Sequence, residues 1–107
     1  MNIYNKSSII GFYKKHGNAK TPLEIWYEDV ESRKWKNPNH IKRDFGGNVS
    51  ILKNSRVVFD IKENDYRIIA VINYENGWLF IKFIGTHAEY DKIDANAIDI
   101  YKKIDSL

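Results

Sequence analysis

Hydrophobic and polar residues alternate most cleanly between positions 56 and 84. Val57, Phe59 and Ile61 point one way and Arg56, Val58, Asp60 and Lys62 the other, which predicts a strand over 56–62. A short polar connection, Glu63-Asn64-Asp65, leads into a second strand over 66–74, and Asn76-Gly77 into a third over 78–84. Read as two-residue turns, these connections set Lys62 opposite Arg67, Val71 opposite Lys82 and Thr86 roughly opposite Arg67. On that register Tyr66, Ile68, Ala70, Ile72, Leu79, Ile81 and Phe83 extend the apolar side. Phe80, Lys82 and Ile84 join Arg67 on the other. The three strands thus agree on which side is the core.

Upstream the period changes. Residues 1–5 can form a short edge strand, and 7–16 a helix with Ile9, Ile10, Phe12 and Tyr13 on its apolar side. Thr21 fits an N-cap, Pro22 the first helical position and Glu24 the third, a capping-box start for a second helix. Leu23, Trp26, Tyr27 and Val30 then recur at the spacing of one buried face. Asn37-Pro38-Asn39 reads as a turn, 45–48 as a loop and 49–52 as a short strand. At the other end Asp94 fits the cap of a final helix whose face is Ala97, Ile98, Tyr101 and Ile104. The helices are expected on the apolar side of the sheet.

Composition narrows the classes. With 107 residues and a hydrophobic fraction of 43% the chain suits one domain, 1–107, with a single modest core. Zero cysteines exclude a thiol nucleophile, a disulfide framework and a thiolate zinc site, and three scattered histidines offer little for any metal. No apolar run approaches the roughly 20 residues of a membrane span, and the N-terminus has no apolar signal core. A soluble, cytoplasmic protein with no cofactor and no membrane partner is expected.

The net charge of +3 is mild, but its distribution is not. Arg33, Lys34, Lys36, Lys42 and Arg43 occur without an acidic residue between them, with Trp35 and His40 interleaved. Such a stretch suits RNA, through phosphate contacts and aromatic stacking; a solvated connector with Trp35 packed on the core is the plainer reading. On the sheet's polar side, the like-charge pair Lys62–Arg67 invites an anion, unless Asp60 and the C-terminal segment neutralise it. His87 and Tyr90 follow close by. Arg56 and Lys82 lie further along that side as RNA grips, Lys82 about 13 Å from Arg67 by strand rise. RNA carries its own nucleophile, the 2′-hydroxyl, so the protein need only move protons and stabilise charge on phosphorus. Arg67 beside Lys62 suits the second task, His87 the first, and Tyr90 supplies or orients a further proton.

The segments Arg56-Val57-Val58-Phe59-Asp60-Ile61-Lys62, Tyr66-Arg67-Ile68-Ile69, Ile72-Asn73-Tyr74 and the run from Phe80 through Thr86-His87-Ala88-Glu89-Tyr90-Asp91 to Asp94 closely resemble the HigB-type toxins. These are RelE-superfamily mRNA interferases of type II toxin–antitoxin systems. Ala19, Pro22-Leu23, Trp26, Trp35, Asn37-Pro38 and Ile41-Lys42 match the same pattern. The resemblance implies a RelE-like α+β fold, two N-terminal helices packed on a small antiparallel sheet, with a C-terminal helix. It also implies cleavage of mRNA on translating ribosomes and neutralisation by a HigA-like helix-turn-helix antitoxin. His87, Tyr90 and Arg67 carry over best; RelE toxins proper lack a fixed histidine, so Lys62 and Lys82 rest on the face argument. Two other classes compete: a non-catalytic RNA- or ribosome-binding module, and a toxin with another target such as gyrase.

Overall fold

The computed structural model describes residues 1–100. It is an α+β structure: β1 (Asn2–Tyr4), α1 (Lys6–Lys15), a 3-10 turn at Gly17–Ala19, α2 (Lys20–Glu31), α3 (Pro38–Phe45), a second 3-10 turn at Gly46–Asn48, β2 (Val49–Ile51), β3 (Arg56–Ile61), β4 (Tyr66–Asn73), β5 (Trp78–Thr86) and α4 (His87–Tyr90). The five strands form one sheet in the order β1-β5-β4-β3-β2. The expected antiparallel sheet is in fact mixed, because β1 runs parallel to β5, with Tyr4 beside Phe80.

The main core lies between α1–α3 and one face of the sheet. Ile9, Leu23, Trp26, Val30, Trp35 and Ile41 meet Val57, Phe59, Ile68, Ala70, Leu79 and Ile81 there. Phe59, fully buried, is its centre: the rings of Trp26 and Phe45 lie 5.3 and 5.2 Å away edge-on, and Trp35 stacks at 6.1 Å. Trp35 is therefore a core residue and not a surface stacking residue. Asn37-Pro38 likewise opens a helix rather than a turn: Asn37 is the N-cap of α3, its side chain accepting from His40 N at 3.2 Å, with proline in the first turn.

α2 begins at Lys20, so Thr21 lies inside the helix and the Thr21–Glu24 box does not form. The preceding 3-10 turn feeds straight into the helix, anchored by fully buried Ala19.

Both hairpins differ in register from the two-residue turns expected. Each loop has four residues, 62–65 and 74–77, and Asp60, not Lys62, faces Arg67. In the first loop Lys62 and Glu63 adopt left-handed backbone (φ 52° and 62°). In the second only Gly77 does (φ 74°), whereas a type I′ turn needs both central residues there. Asn73 closes this loop, accepting from Gly77 N on its carbonyl and from Asn76 N on its side chain. A two-residue shift preserves alternation, so the predicted faces survive along β3, β4 and the first half of β5.

They fail beyond Ile81. Ala70 pairs with Ile81 but Ile69 pairs with Phe83, leaving Lys82 as the extra residue of a β-bulge. The bulge inverts the rest of β5: Ile84 enters the main core, and Phe83 turns to the opposite, outer face. There Phe83, Val58 and Ile69 form a second, small core, covered by Leu52, Tyr90, Ile93, Ala95 and Ile98. The cover comes largely from residues 91–100, which run as turns rather than the helix expected from Asp94. Asp94 does cap a turn, its Oδ1 accepting from Asn96 N at 3.0 Å. Tyr101 and Ile104 lie outside the described residues.

Candidate functional site

The C-terminal end of β5 runs directly into α4, a single helical turn that could not stand alone. Thr86 caps it: Thr86 Oγ1 accepts from Glu89 N at 3.2 Å and Glu89 Oε1 accepts from Thr86 N at 2.8 Å. His87 N donates to Asp65 O at 3.0 Å, which ties the turn to the β3–β4 loop. On α4, His87 and Tyr90 are three residues apart and share a side. The half-exposed His87 ring places Nε2 3.2 Å from Asp91 Oδ2, one further turn along.

Arg67 leaves β4 opposite Asp60 on one side and Gly85 on the other. Its guanidinium carbon lies 4.6 Å from the centre of the Tyr90 ring, a cation–π contact. Its Nε is 3.2 Å from Asp60 Oδ1, at an angle that leaves this buried nitrogen without a hydrogen bond. About one fifth of each side chain, 18% and 22%, meets solvent. Arg67 is therefore held by a charge on one side and a ring on the other, and among the described residues no hydrogen bond engages its terminal nitrogens.

The Lys62–Arg67 pair expected from the sequence does not form. Lys62 sits in the loop, with Nζ 3.5 Å from Asp65 Oδ2. Asp65 thus touches Lys62 through its carboxylate and His87 through its carbonyl. Lys62, Arg67, His87 and Tyr90 all belong to this end of the sheet, joined through Asp65 and the Arg67–Tyr90 contact.

The other basic residues are distributed differently. Arg56 Nη1 donates to Ile98 O at 2.8 Å and Lys82 Nζ pairs with Asp99 Oδ2 at 3.1 Å, so the segment covering the outer face holds both. Arg33 pairs with Asp29 at 3.0 Å and with Asp44 at 3.6 Å, and Arg43 with Asp44 at 3.2 Å. Lys42 Nζ donates to Val49 O at 3.1 Å. Lys34 and Lys36 are exposed at the far end of the sheet, around a pocket of about 290 Å³ shared with Asn2 and Gly77.

Asp44 is the pivot of the basic connector. The Trp35 indole N–H donates to it at 2.8 Å, and with Arg43 this holds the Asp44 carboxyl below the usual carboxylate range. Sequence reading missed Asp91 as the partner of His87, although the i, i+4 spacing carried the signal. It also left the aromatic residues Tyr4 and Trp78 without a role. Among the described residues no three His, Cys, Asp or Glu side chains gather as a metal-binding group.

The fold is thus an α+β chain with an arginine, a lysine, a histidine and a tyrosine at one end of a mixed sheet, groups whose chemistry suits a phosphate. A family model described as HigB_toxin, RelE-like toxic component of a toxin-antitoxin system, matches residues 19–93, and the chain belongs to this family. It is 32% identical over 95 residues to the mRNA interferase HigB of Escherichia coli O6:H1 (strain CFT073), covering 87% of this chain and 91% of that protein.

Proposed function

We propose that this toxin is an endoribonuclease that cleaves mRNA on translating ribosomes, with residues 1–107 as one RelE-like domain. The observation that carries the reading is the Arg67 guanidinium, stacked on Tyr90 and set beside the turn that bears His87. The substrate 2′-oxygen attacks the adjacent phosphorus, forming the 2′-O–P bond as the P–O5′ bond breaks. The 2′-hydroxyl loses a proton and the leaving 5′-oxygen gains one, giving a 2′,3′-cyclic phosphate and a 5′-hydroxyl.

Arg67 offers two terminal nitrogens to the phosphate oxygens, where charge develops. His87 transfers a proton, oriented by Asp91, and Tyr90 fixes the arginine and presents its hydroxyl to the reacting centre. Lys62 contributes positive charge from the loop, while Arg56, Lys82 and the Arg33–Lys34–Lys36–Lys42–Arg43 stretch guide the strand. The protein acts in the cytoplasm and is silenced by a HigA-like helix-turn-helix antitoxin. The name of the E. coli relative supports RNA cleavage as the activity.

The test is expression of the chain alone, with transcript ends mapped by primer extension. Wild type should arrest growth and produce new 5′-hydroxyl ends. Arg67→Ala should slow cleavage by about 10²–10³-fold, and His87→Ala by about 10²–10⁴-fold, at unchanged protein level. Arg67→Lys, which keeps the charge but loses the planar fork, should also fail to restore full rate. Both alanine variants remaining fully active would remove this site. A non-catalytic RNA- or ribosome-binding module is the second reading, favoured by the ion pairs that Arg67 and Lys62 already make. It predicts ribosome association with uncut transcripts.

A further inference from the structure

At the end of β5 away from His87, three aromatic rings face outward from adjacent strands. Tyr4 and Phe80, paired across the parallel β1–β5 ladder, stack with centroids 4.9 Å apart and planes 16° apart. Trp78 meets Tyr4 edge-on at 5.6 Å and Phe80 at 5.9 Å. Tyr4 is 42% exposed and Trp78 37%, whereas the other tryptophans, Trp26 and Trp35, are 4% and 2% exposed. Strengthening the β1–β5 pair requires Tyr4 against Phe80 and nothing more. It gives no reason for a third large ring left half in water.

Cations border this ladder at both ends. Lys82 Nζ is 5.8 Å from the centre of the Phe80 ring. At the other end Gly77, the residue before Trp78, and Asn2, its ladder partner, share a pocket with Lys34 and Lys36. The basic connector, remote in sequence, is thereby brought to the start of β5. Exposed rings interleaved with lysines are the chemistry that holds a single nucleic-acid strand: the rings accept base faces and the ammonium groups the phosphates.

We propose that Tyr4, Phe80 and Trp78 form a stacking platform for bases of the RNA strand several nucleotides from the phosphate held at Arg67. Lys34 and Lys36 hold phosphates beyond the platform, and Lys82, exchanging its pairing with Asp99, holds one on the side toward Arg67. The choice of RNA as ligand rests on the function proposed above. β5 spans about 26 Å from Trp78 to Thr86 by strand rise, so the two ends engage different nucleotides of one strand. The segment 91–100 lies between them on the outer face, which makes the strand pass around it rather than over an open sheet.

The experiment uses the full chain and a single-stranded 2′-O-methyl oligoribonucleotide, which has no free 2′-hydroxyl and is not cut. Trp78 is the exposed tryptophan, so binding should quench tryptophan fluorescence, and Trp78→Phe should abolish most of that change. By anisotropy with a labelled oligonucleotide, Tyr4→Leu and Trp78→Leu, which keep apolar bulk but remove the ring, should each weaken binding at least about fivefold. Lys34→Gln with Lys36→Gln should reduce the slope of log K against log salt by about 1.4. Circular dichroism reports whether each variant is folded.

Folded leucine variants with wild-type affinity, or oligonucleotide binding without Trp78 quenching, overturn the platform. Quenching of Trp78 by a protein partner but not by RNA overturns it equally. The nuclease reading fails separately: if Trp78 is quenched and the leucine variants bind weakly, yet unmodified RNA stays intact, the platform stands without the cleavage.

Discussion

Arg67 illustrates how one residue can be read correctly and its neighbour wrongly. Alternation put Arg67 and Asp60 on the same face, and the structure pairs them at 3.2 Å. The partner expected directly across, Lys62, has left the sheet. The error came from turn length, which no local propensity specified: Lys62 and Glu63 are ordinary side chains in left-handed backbone. Asp44 yields a prediction at this scale. Its carboxyl is held below the normal range, first by the Trp35 indole N–H and then by Arg43, against the opposing effect of burial. A lowered folded-state value means that the stabilisation is fully present above the unfolded value near 3.9 and is lost as pH falls through the folded one. Thermal unfolding followed below about pH 4 should therefore show an acid-dependent loss, and Asp44→Asn should flatten it while keeping an acceptor for Trp35.

Elements were legible where periodicity was long and illegible where one residue decided the outcome. The same Thr-x-x-Glu pattern occurs twice. At Thr21–Glu24 it lies inside α2 and caps nothing, because a 3-10 turn anchored by buried Ala19 already feeds that helix. At Thr86–Glu89 it closes a complete capping box on four residues that carry the candidate histidine and tyrosine. Tertiary context, not the motif, chose between them. The bulge at Lys82 was invisible for the same reason, since Lys82-Phe83-Ile84 satisfies a continuous strand equally well. Gly85 gives the element its test. A Cβ there would collide with Phe83 Cζ and lie 2.8 Å from Cε1 of the same ring, and Phe83 is locked in the small outer core. Gly85→Ala should cost about 1–3 kcal/mol in urea denaturation, as overpacking does. It should also lower activity, because Gly85 is the ladder partner of Arg67.

For the molecule as a whole, the sheet is covered on both faces, unequally. The helices bury the larger core, and residues 91–100 bury the smaller one while engaging Arg56 and Lys82. The sequence had this segment as a helix, and its irregular course was not readable because its contacts are with distant strands. Removing apolar mass from it should loosen the cover before the fold. Ile93→Ala with Ile98→Ala should accelerate amide exchange at Asn96, Ile98 and Ile100 with little change in the amides of β3 and β4. Equal loss of protection in those strands would mean that the two cores unfold as one.

The bulge at Lys82 has a consequence of its own. A strand is read two residues at a time, so β5 has a reading frame, and the extra residue shifts it partway along. Replacing Lys82 by alanine changes one side chain. Deleting it would remove the bulge and set the pairs Ala70–Ile81 and Ile69–Phe83 in ordinary succession, so every residue downstream keeps its side. Pairing Lys82 as an ordinary strand residue is what would exchange the sides: Phe83 would be driven toward the space that Ile84 fills, and α4 would leave the sheet from the wrong surface, carrying His87 and Tyr90 away from Arg67. The frame can lose the extra residue, but while that residue is present it cannot lose the bulge.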